Sequence, residues 1–198
     1  MADHIDFYFE FSSPYGYFAS TQIEALAADL QRSIKWHPIL LGPMFKATGS
    51  MPLVDIPVKG QYSLHDMERT ARLFNIPFKQ PSPFPIGTVS AARAVLYVQQ
   101  KHPEQTARLV RSLYEAYFVK GLDISQQDIT LAVCEEAGLP AAEVQEGIAQ
   151  DEIKALLKQE INNAMERGVF GSPFMIVDDE PFWGFDRFDH IRRWLQQK

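Results

Sequence analysis

Strand-type hydrophobic patterns occur only near the two ends of this 198-residue chain, and this separation constrains the fold more than any other feature. The runs His4–Phe11 and Ser33–Leu41 lie near the start, and Pro173–Val177 and Pro181–Trp183 lie near the end. The intervening residues 63–151 show only helical periodicity. Both ends of the chain must therefore contribute strands to one sheet, with a helical block inserted between them, which predicts an α/β fold.

The first predicted strand is followed by a turn and a helix. Ser12, Ser13 and Pro14 close the apolar run, and proline suits a first helical turn because its missing N–H is not needed there. From Tyr15 to Leu30 apolar residues recur every three or four positions, which predicts one amphipathic helix. Pro38 favours the end or the edge of the second strand. The start of the chain is therefore predicted to be β-α-β.

Two segments lack periodicity. Residues 42–59 are rich in Gly, Pro and Ser, and we predict a long loop there that serves as a lid or a binding loop. Residues 76–88 contain four prolines and are predicted to wrap the surface between two helices.

Capping residues suggest the limits of the helices. Ser63 and Ser125 each precede an acidic residue by three positions and are predicted N-caps, whereas Gly121 and Gly138 fall just past helix ends. The predicted helices are Ser63–Phe74, Ser90–Lys101, Pro103–Val119, Ser125–Ala137, Ala141–Ala149, Glu152–Arg167 and Arg187–Gln196.

Composition argues against several classes of function. The net charge is −6 with dispersed Lys and Arg, which argues against a nucleic-acid partner. The presence of a single cysteine, Cys134, excludes an internal disulfide, and this residue is predicted to have a packed, structural role on a helix. The five histidines lack the spacing of metal ligands. No apolar run approaches the roughly 18 residues of a membrane helix, and the first residues lack the basic flank of a secretory signal. We therefore expect a cytoplasmic protein without a membrane partner.

Three motifs in a fixed order carry a resemblance to a known family. They are Asp6–Tyr15 (DFYFEFSSPY), Phe170–Pro173 (FGSP) and Trp183–Arg187 (WGFDR), and Phe45–Gly49 (FKATG) and Lys59–Tyr62 (KGQY) add to them. Together they resemble the 2-hydroxychromene-2-carboxylate isomerases and the related kappa-class glutathione transferases over nearly the whole chain.

The resemblance implies an architecture and a cofactor. A thioredoxin-like fold is expected from residues 1–60 and 151–198, with an inserted all-helical domain at residues 61–150. The family implies glutathione as cofactor, a small aromatic carboxylate as substrate and a homodimer.

Ser13 is the residue to which the resemblance assigns catalysis. At a strand-to-helix turn, free N–H groups and the helix dipole favour an anion such as the thiolate of glutathione. A hydrogen bond to that charge is worth ~1.5–3 kcal/mol, which corresponds to ~1–2 pKa units. The ionised fraction at pH 7 would rise from ~3% to about three quarters. The alternative from position alone is that Ser13 only caps the helix.

Other residues are assigned to glutathione mainly by the resemblance. Pro173 occupies the position of a cis-proline that presents the backbone of Ser172 to the cysteinyl part of glutathione. Asp186 precedes the last helix, where its carboxylate can accept the γ-glutamyl ammonium or can simply cap the helix. Lys59 is expected to pair with a carboxylate of glutathione or of the substrate, its alternative being a solvated loop lysine.

Two of the assigned positions differ from the family pattern. Ser50 stands where asparagine is usual, and Phe185 stands where a small polar residue is usual, which leaves the choice of substrate open. Arg93 is a further candidate that could bind the carboxylate of the substrate, with a surface salt bridge as the alternative.

The resemblance implies that glutathione thiolate adds to 2-hydroxychromene-2-carboxylate, so that the ring opens and glutathione is then expelled unconsumed. The expected function is thus a glutathione-dependent isomerase that interconverts this acid and trans-o-hydroxybenzylidenepyruvate, or acts on a related substrate. Two alternatives are a kappa-like transferase, which leaves glutathione on its product, and a non-catalytic thioredoxin-fold binding protein.

Overall fold

A computed structural model describes residues 4–197 and contains one mixed β-sheet. Its strands are β1 (His4–Phe9), β2 (Ser33–Pro38), β3 (Phe174–Val177) and β4 (Glu180–Trp183), in the order β2-β1-β3-β4. β1 runs parallel to β2 and antiparallel to β3, and β4 extends the sheet as a hairpin with β3. Both ends of the chain thus contribute to one sheet, as predicted.

The register between β1 and β3 determines which loops meet. Tyr8 pairs with Phe174, so the carboxyl end of β1 lies beside the amino end of β3. The residues just after β1 therefore come close to those just before β3, although more than 150 positions separate them in sequence.

Ten helices surround the sheet within residues 4–197. They are α1 (Pro14–Ser20), α2 (Ile23–Asp29), α3 (Leu41–Thr48), α4 (Lys59–Leu73), α5 (Val89–Lys101), α6 (Thr106–Phe118), α7 (Gln127–Glu136), α8 (Ala141–Ala149), α9 (Asp151–Glu166) and α10 (Phe188–Gln196). Short 3₁₀ turns occur at Leu53–Asp55, Pro103–Gln105 and Phe185–Arg187.

The prediction of one helix from Tyr15 to Leu30 is wrong. The helix breaks at Thr21, whose hydroxyl donates to the carbonyl oxygen of Phe18 (2.7 Å). A second helix begins at Ile23, and its apolar residues continue the spacing of those in α1. The periodicity alone therefore does not reveal the break.

The prediction of a long loop at residues 42–59 is wrong for its first half. α3 occupies its first half because Met44 packs in a cluster with Tyr8 and Ile39, so tertiary burial outweighs a Gly- and Pro-rich composition. Gly49 ends the helix with φ +69°, and the Ser50 N–H donates to the Phe45 carbonyl (2.9 Å), as in a Schellman motif.

Both predicted serine N-caps are wrong. Ser63 lies inside α4, where its hydroxyl donates to the Gly60 carbonyl (2.8 Å). The Ser125 N–H is instead bound by the Asp123 carboxylate (3.0 Å), and α7 begins two residues later. Gly121 and Gly138 do adopt positive φ just past helix ends, as predicted.

The helical block packs directly on the sheet. One cluster of buried side chains includes Phe7 and Phe9 of β1 together with Leu113 and Tyr114 of α6. The division of the chain into two domains at residues 60 and 151 stays a prediction. No helix among residues 4–197 is both long and apolar enough to cross a membrane.

Candidate active site

Ser13 lies at the turn between β1 and α1 and caps the helix. Its backbone is extended (φ −89°, ψ 113°), and its hydroxyl oxygen accepts the Gly16 N–H (3.0 Å). The same hydroxyl donates to the carbonyl oxygen of Ser172 (2.9 Å), and the residue is 7% exposed. Ser13 is therefore an N-cap whose hydrogen points toward the segment that precedes β3.

Ser172 and Pro173 form the facing wall of the site. The Ser172–Pro173 peptide bond is cis, which confirms that part of the sequence prediction. The Ser172 hydroxyl accepts the backbone N–H of Glu10 (3.0 Å), so this wall is also tied to the end of β1. The structure thus brings together Ser13, Ser172 and Pro173.

The floor of the site has no room for a side chain at Gly16. An ideal Cβ there would lie 2.6 Å from the Tyr114 hydroxyl and 2.8 Å from the Ser172 hydroxyl oxygen. The Tyr114 hydroxyl donates to the Glu10 carbonyl (2.9 Å), and burial raises its pKa well above the usual value. Tyr114 is therefore a neutral donor beneath the turn.

Asp186 lies in the 3₁₀ turn Phe185–Arg187, which packs against α1. Its side chain is 70% exposed and its carboxylate lies 3.4 Å from the Arg187 guanidinium. The helix-cap alternative is wrong, because α10 begins at Phe188 without a side-chain cap. The carboxylate of Asp186 is thus accessible from solvent on the α1 side of the sheet.

Phe185 is assigned to glutathione by resemblance, but its side chain points into the core. Its ring packs against Phe18, Phe74 and Phe188, and the residue is 6% exposed. Only its backbone can contact a ligand in this arrangement, so the assignment of Phe185 stays a prediction about its main-chain groups.

Lys59 and Ser50 lie in the segment that leads into α4. Lys59 is the first residue of α4 and is exposed, and its ammonium has no hydrogen-bond or ion-pair partner within residues 4–197. α4 touches α1 where the Tyr15 hydroxyl donates to Asp66 (2.5 Å), about two helical turns beyond Lys59. Ser50 is exposed after Gly49. The structure does not bring Ser50 or Lys59 into contact with Ser13, and their roles stay predictions.

Glu10 is the main site residue that sequence reasoning missed. It is 4% exposed, and its carboxylate accepts the Ser12 N–H (2.8 Å) and the Thr88 hydroxyl. Burial raises its pKa to about 7, and the two hydrogen bonds offset only part of this rise. The sequence signal is an acidic residue within an apolar run just before a turn.

Three other residues make none of the hydrogen bonds of this site within residues 4–197. Cys134 is fully buried and burial raises its pKa to about 12, which confirms a packed role. His37 is bound between Asp6 and Glu160 on the sheet. Arg93 forms no salt bridge within residues 4–197, and its Nε is buried without a hydrogen-bond partner there. Its contact with the carboxylate of the substrate stays a prediction.

The residues present suit the chemistry of glutathione. This tripeptide carries a thiol, two carboxylates, an ammonium and two amide groups. The turn offers a hydroxyl at a helix N-terminus and a carbonyl beside a cis-proline, and the chain also carries an exposed carboxylate at Asp186 and, at Lys59, an ammonium without a partner within residues 4–197. The thiol, an amide N–H, the ammonium and one carboxylate of the ligand thus each have a chemically matching group in the chain.

Comparison with known proteins gives consistent results. Residues 4–196 match the DsbA-like thioredoxin domain. The chain is 30% identical to a 2-hydroxychromene-2-carboxylate isomerase of Sphingobium xenophagum, over 98% of this chain and 99% of the relative. It is 26% identical to glutathione S-transferase kappa 1 of Rattus norvegicus, over 98% of this chain and 91% of the relative.

A solved structure of 2-hydroxychromene-2-carboxylate isomerase superimposes with a TM-score of 0.88 at 26% identity, covering 98% of this chain and 95% of that one. These matches confirm the predicted thioredoxin-like α/β fold and the predicted isomerase class. The chain belongs to the DsbA-like thioredoxin domain family and, within it, to the family of the 2-hydroxychromene-2-carboxylate isomerases.

Proposed function

We propose that this protein is a glutathione-dependent isomerase that interconverts 2-hydroxychromene-2-carboxylate and trans-o-hydroxybenzylidenepyruvate, or a closely related aromatic carboxylate. The observation that carries the proposal is the pairing of Ser13, at the start of α1, with the carbonyl of Ser172 beside cis-Pro173. The relatives named for this isomerase activity support the same conclusion.

Ser13 would act by changing the acceptor of its hydroxyl hydrogen. That hydrogen is donated to the Ser172 carbonyl in this structure. An extended ligand backbone beside Pro173 donates its own N–H to that carbonyl, as an added strand would. The hydroxyl of Ser13 is then free to donate to an anionic sulfur while it still accepts the Gly16 N–H.

Bound glutathione supplies a thiolate nucleophile that the chain itself lacks, since its only cysteine is buried with a raised pKa. The Ser13 hydroxyl and the N-terminus of α1 stabilise this negative charge by ~1.5–3 kcal/mol. That lowers a thiol pKa by ~1–2 units, which raises the reactive fraction at pH 7 more than tenfold.

The remaining candidates bind the two ends of glutathione. Asp186 offers an exposed carboxylate to the γ-glutamyl ammonium, and Lys59 offers an ammonium without a partner to a carboxylate. Ser50 and the backbone of Phe185 contribute polar contacts nearby. A cytoplasmic homodimer that takes a small aromatic acid, without a nucleic-acid or membrane partner, completes the proposal.

The decisive experiment compares Ser13→Ala with Ser13→Gly. Glycine preserves most of the capping free energy, whereas alanine loses about 1 kcal/mol. Both lack the hydroxyl, so both should lose roughly tenfold or more of the turnover at saturating glutathione and pH 7. Ser20→Ala, a buried serine at the other end of α1, is the matched control and should retain its turnover. Unchanged turnover in Ser13→Gly would contradict the role given to Ser13.

A second candidate function is a kappa-type transferase, which the 26% identity to the rat enzyme favours. A transferase consumes glutathione in proportion to product, whereas an isomerase needs only catalytic amounts. Mass spectrometry of the product mixture distinguishes them, because only the transferase accumulates a glutathione conjugate.

A further inference from the structure

Glu10 is a buried carboxyl group next to Ser13 that the mechanism above does not use. The residue is 4% exposed, and each of its carboxylate oxygens has one donor. The Ser12 N–H binds Oε2 (2.8 Å), and the Thr88 hydroxyl binds Oε1. The carboxylate thus lies immediately behind the turn that positions Ser13.

The backbone of Glu10 contacts every wall of the site. Its carbonyl oxygen accepts the Ser13 N–H (3.0 Å) and the Tyr114 hydroxyl (2.9 Å). Its N–H donates to the Ser172 hydroxyl (3.0 Å). The carboxylate of Glu10 accepts the N–H of Ser12, the residue next to Ser13, so its charge lies close to the place where a ligand sulfur would bind.

Among residues 4–197, no cation compensates the charge of the Glu10 carboxylate. Two tyrosines of α6, Tyr114 and Tyr117, face it, and burial raises the pKa of both, so they stay neutral. The segment before α5 contributes Thr88, the turn contributes Ser12, and both are uncharged donors. A second negative charge at Ser13 would therefore meet an unscreened like charge in a water-excluded region.

We propose that Glu10 is the residue that takes up a proton when a negative charge forms at Ser13, so that the turn never holds two negative charges at once. This inference rests on the proposed function, because the charge at Ser13 is the thiolate of glutathione. Two acidic groups that interact this strongly titrate as a pair, and the loss of a proton from one favours its gain by the other.

The proton balance of this step is simple. The proton of the thiol leaves to solvent, and the Glu10 carboxylate binds one proton from solvent. The pKa of about 7 in the free protein means that roughly half of Glu10 is ionised at pH 7. A nearby thiolate raises this pKa further, so Glu10 becomes protonated in the complex at neutral pH.

The test counts protons by calorimetric titration of glutathione in buffers of different ionisation enthalpy. Wild type should release fewer protons per glutathione bound than Glu10→Gln does. The difference should be several tenths of a proton at pH 7–8 and less than about 0.1 at pH 5.5, where Glu10 is already protonated. With S-methylglutathione, which has no ionisable thiol, the two proteins should release equal numbers of protons.

A second variant tests the inference if Glu10→Gln folds poorly. Thr88→Val keeps the carboxyl group but removes one of its donors, which raises the pKa of Glu10 further. The pH at which the extra proton uptake begins should therefore move upward by a measurable fraction of a unit. A purely structural role for Glu10 would leave this onset unchanged.

The outcomes separate the two proposals. Glutathione binding with equal proton release in wild type, Glu10→Gln and Thr88→Val would overturn the inference on Glu10 and leave the isomerase intact. Absence of glutathione binding to wild type would overturn both. A lower proton release in wild type, confined to pH values above about 6, would support the inference.

Discussion

Two carboxyl groups, Asp6 on β1 and Glu10 just after it, have similarly low solvent exposure but lie in opposite electrostatic surroundings. Asp6 is 6% exposed in the middle of the strand, and Glu10 is 4% exposed just after it. They lie four positions apart in the sequence. Their pKa values nevertheless shift in opposite directions, which shows that burial alone does not decide how an acidic side chain behaves.

Asp6 is surrounded by cations. The Arg167 guanidinium donates to one carboxylate oxygen (2.9 Å), and Nε2 of His37 lies 3.0 Å from the other. Burial by itself would raise the pKa of Asp6, but His37 and Arg167 outweigh it and lower the pKa to about 2. Glu160 binds the opposite nitrogen of His37 (2.9 Å) and completes the network.

Within residues 4–197 the hydrogen-bond donors to Glu10 are neutral, so they compensate the desolvation of its charge only in part. Cations thus balance the charge of Asp6 in the middle of β1, whereas no cation balances the charge of Glu10 just after the strand within residues 4–197. Unmatched buried charge costs stability and is found where a site needs a group that titrates near neutral pH. The ion-paired carboxylate of Asp6 lies within β1, away from Ser13, whereas Glu10, the acid that titrates near neutral pH, lies beside the turn of Ser13.

The largest expected effect comes from removing the carboxylate of Asp6 from its ion-pair cluster with Arg167, His37 and Glu160. Asp6→Asn should lower the free energy of unfolding by about 3 kcal/mol at pH 7, because it leaves Arg167 and His37 without their shared anion. Urea unfolding measures this loss. Glu10→Gln is the matched comparison and should change stability at pH 6 by less than about 1 kcal/mol, since no cation loses a partner. An equal loss in both variants would contradict the distinction.

The pH dependence of stability should have opposite signs at the two sites. The lowered pKa of Asp6 gives stability that is present above pH 4 and is lost as the pH falls through about 2. The raised pKa of Glu10 gives stability that is present below pH 4.5 and is lost as the pH rises through about 7.

Glu10→Gln should therefore gain about 2 kcal/mol relative to wild type between pH 5 and pH 8. Denaturant unfolding at several pH values measures the difference. A constant difference across this range would show that Glu10 does not titrate there.

A smaller effect is expected from removing one of the two hydrogen-bond donors of Glu10, the Thr88 hydroxyl. Thr88→Val should destabilise the protein by about 1 kcal/mol at pH 8, where the carboxylate is ionised and needs the hydrogen bond. Thr88→Ser keeps the hydroxyl and should retain most of this stability. If Val and Ser variants unfold at the same denaturant concentration at pH 8, the hydrogen bond has no measurable value.

The smallest effect concerns Glu160, which binds His37 at the edge of the same ion-pair cluster. Burial lowers the pKa of His37, but its hydrogen bonds to Asp6 and Glu160 outweigh this and raise it overall. Glu160→Gln should therefore lower the pKa of His37 and change stability by less than about 0.5 kcal/mol, because Glu160 is partly exposed. An NMR titration of the His37 imidazole measures the shift, and an unchanged pKa would assign it to Asp6 alone.

Much of the fold was predictable from local patterns. The order βαβ, helical block, αββα follows from where the hydrophobic period is two and where it is 3.6. The turn at Ser13 and the proline at 173 were also visible, because serine at an N-cap and proline before a strand have local physical causes. The wrong predictions fall where local causes are weak: the break at Thr21, the helix α3 and the two serine caps.

By itself the sequence determined the elements of the sheet, the amphipathic faces and the presence of a helix-capping serine without a reactive cysteine. Only the tertiary structure decided that Ser13 meets Ser172, because antiparallel pairing of β1 with β3 joins positions 159 residues apart. It also decided the different states of Asp6 and Glu10. Carboxyl groups occur both in β1 and just after it, but the pKa of each depends on which cations the fold brings to it.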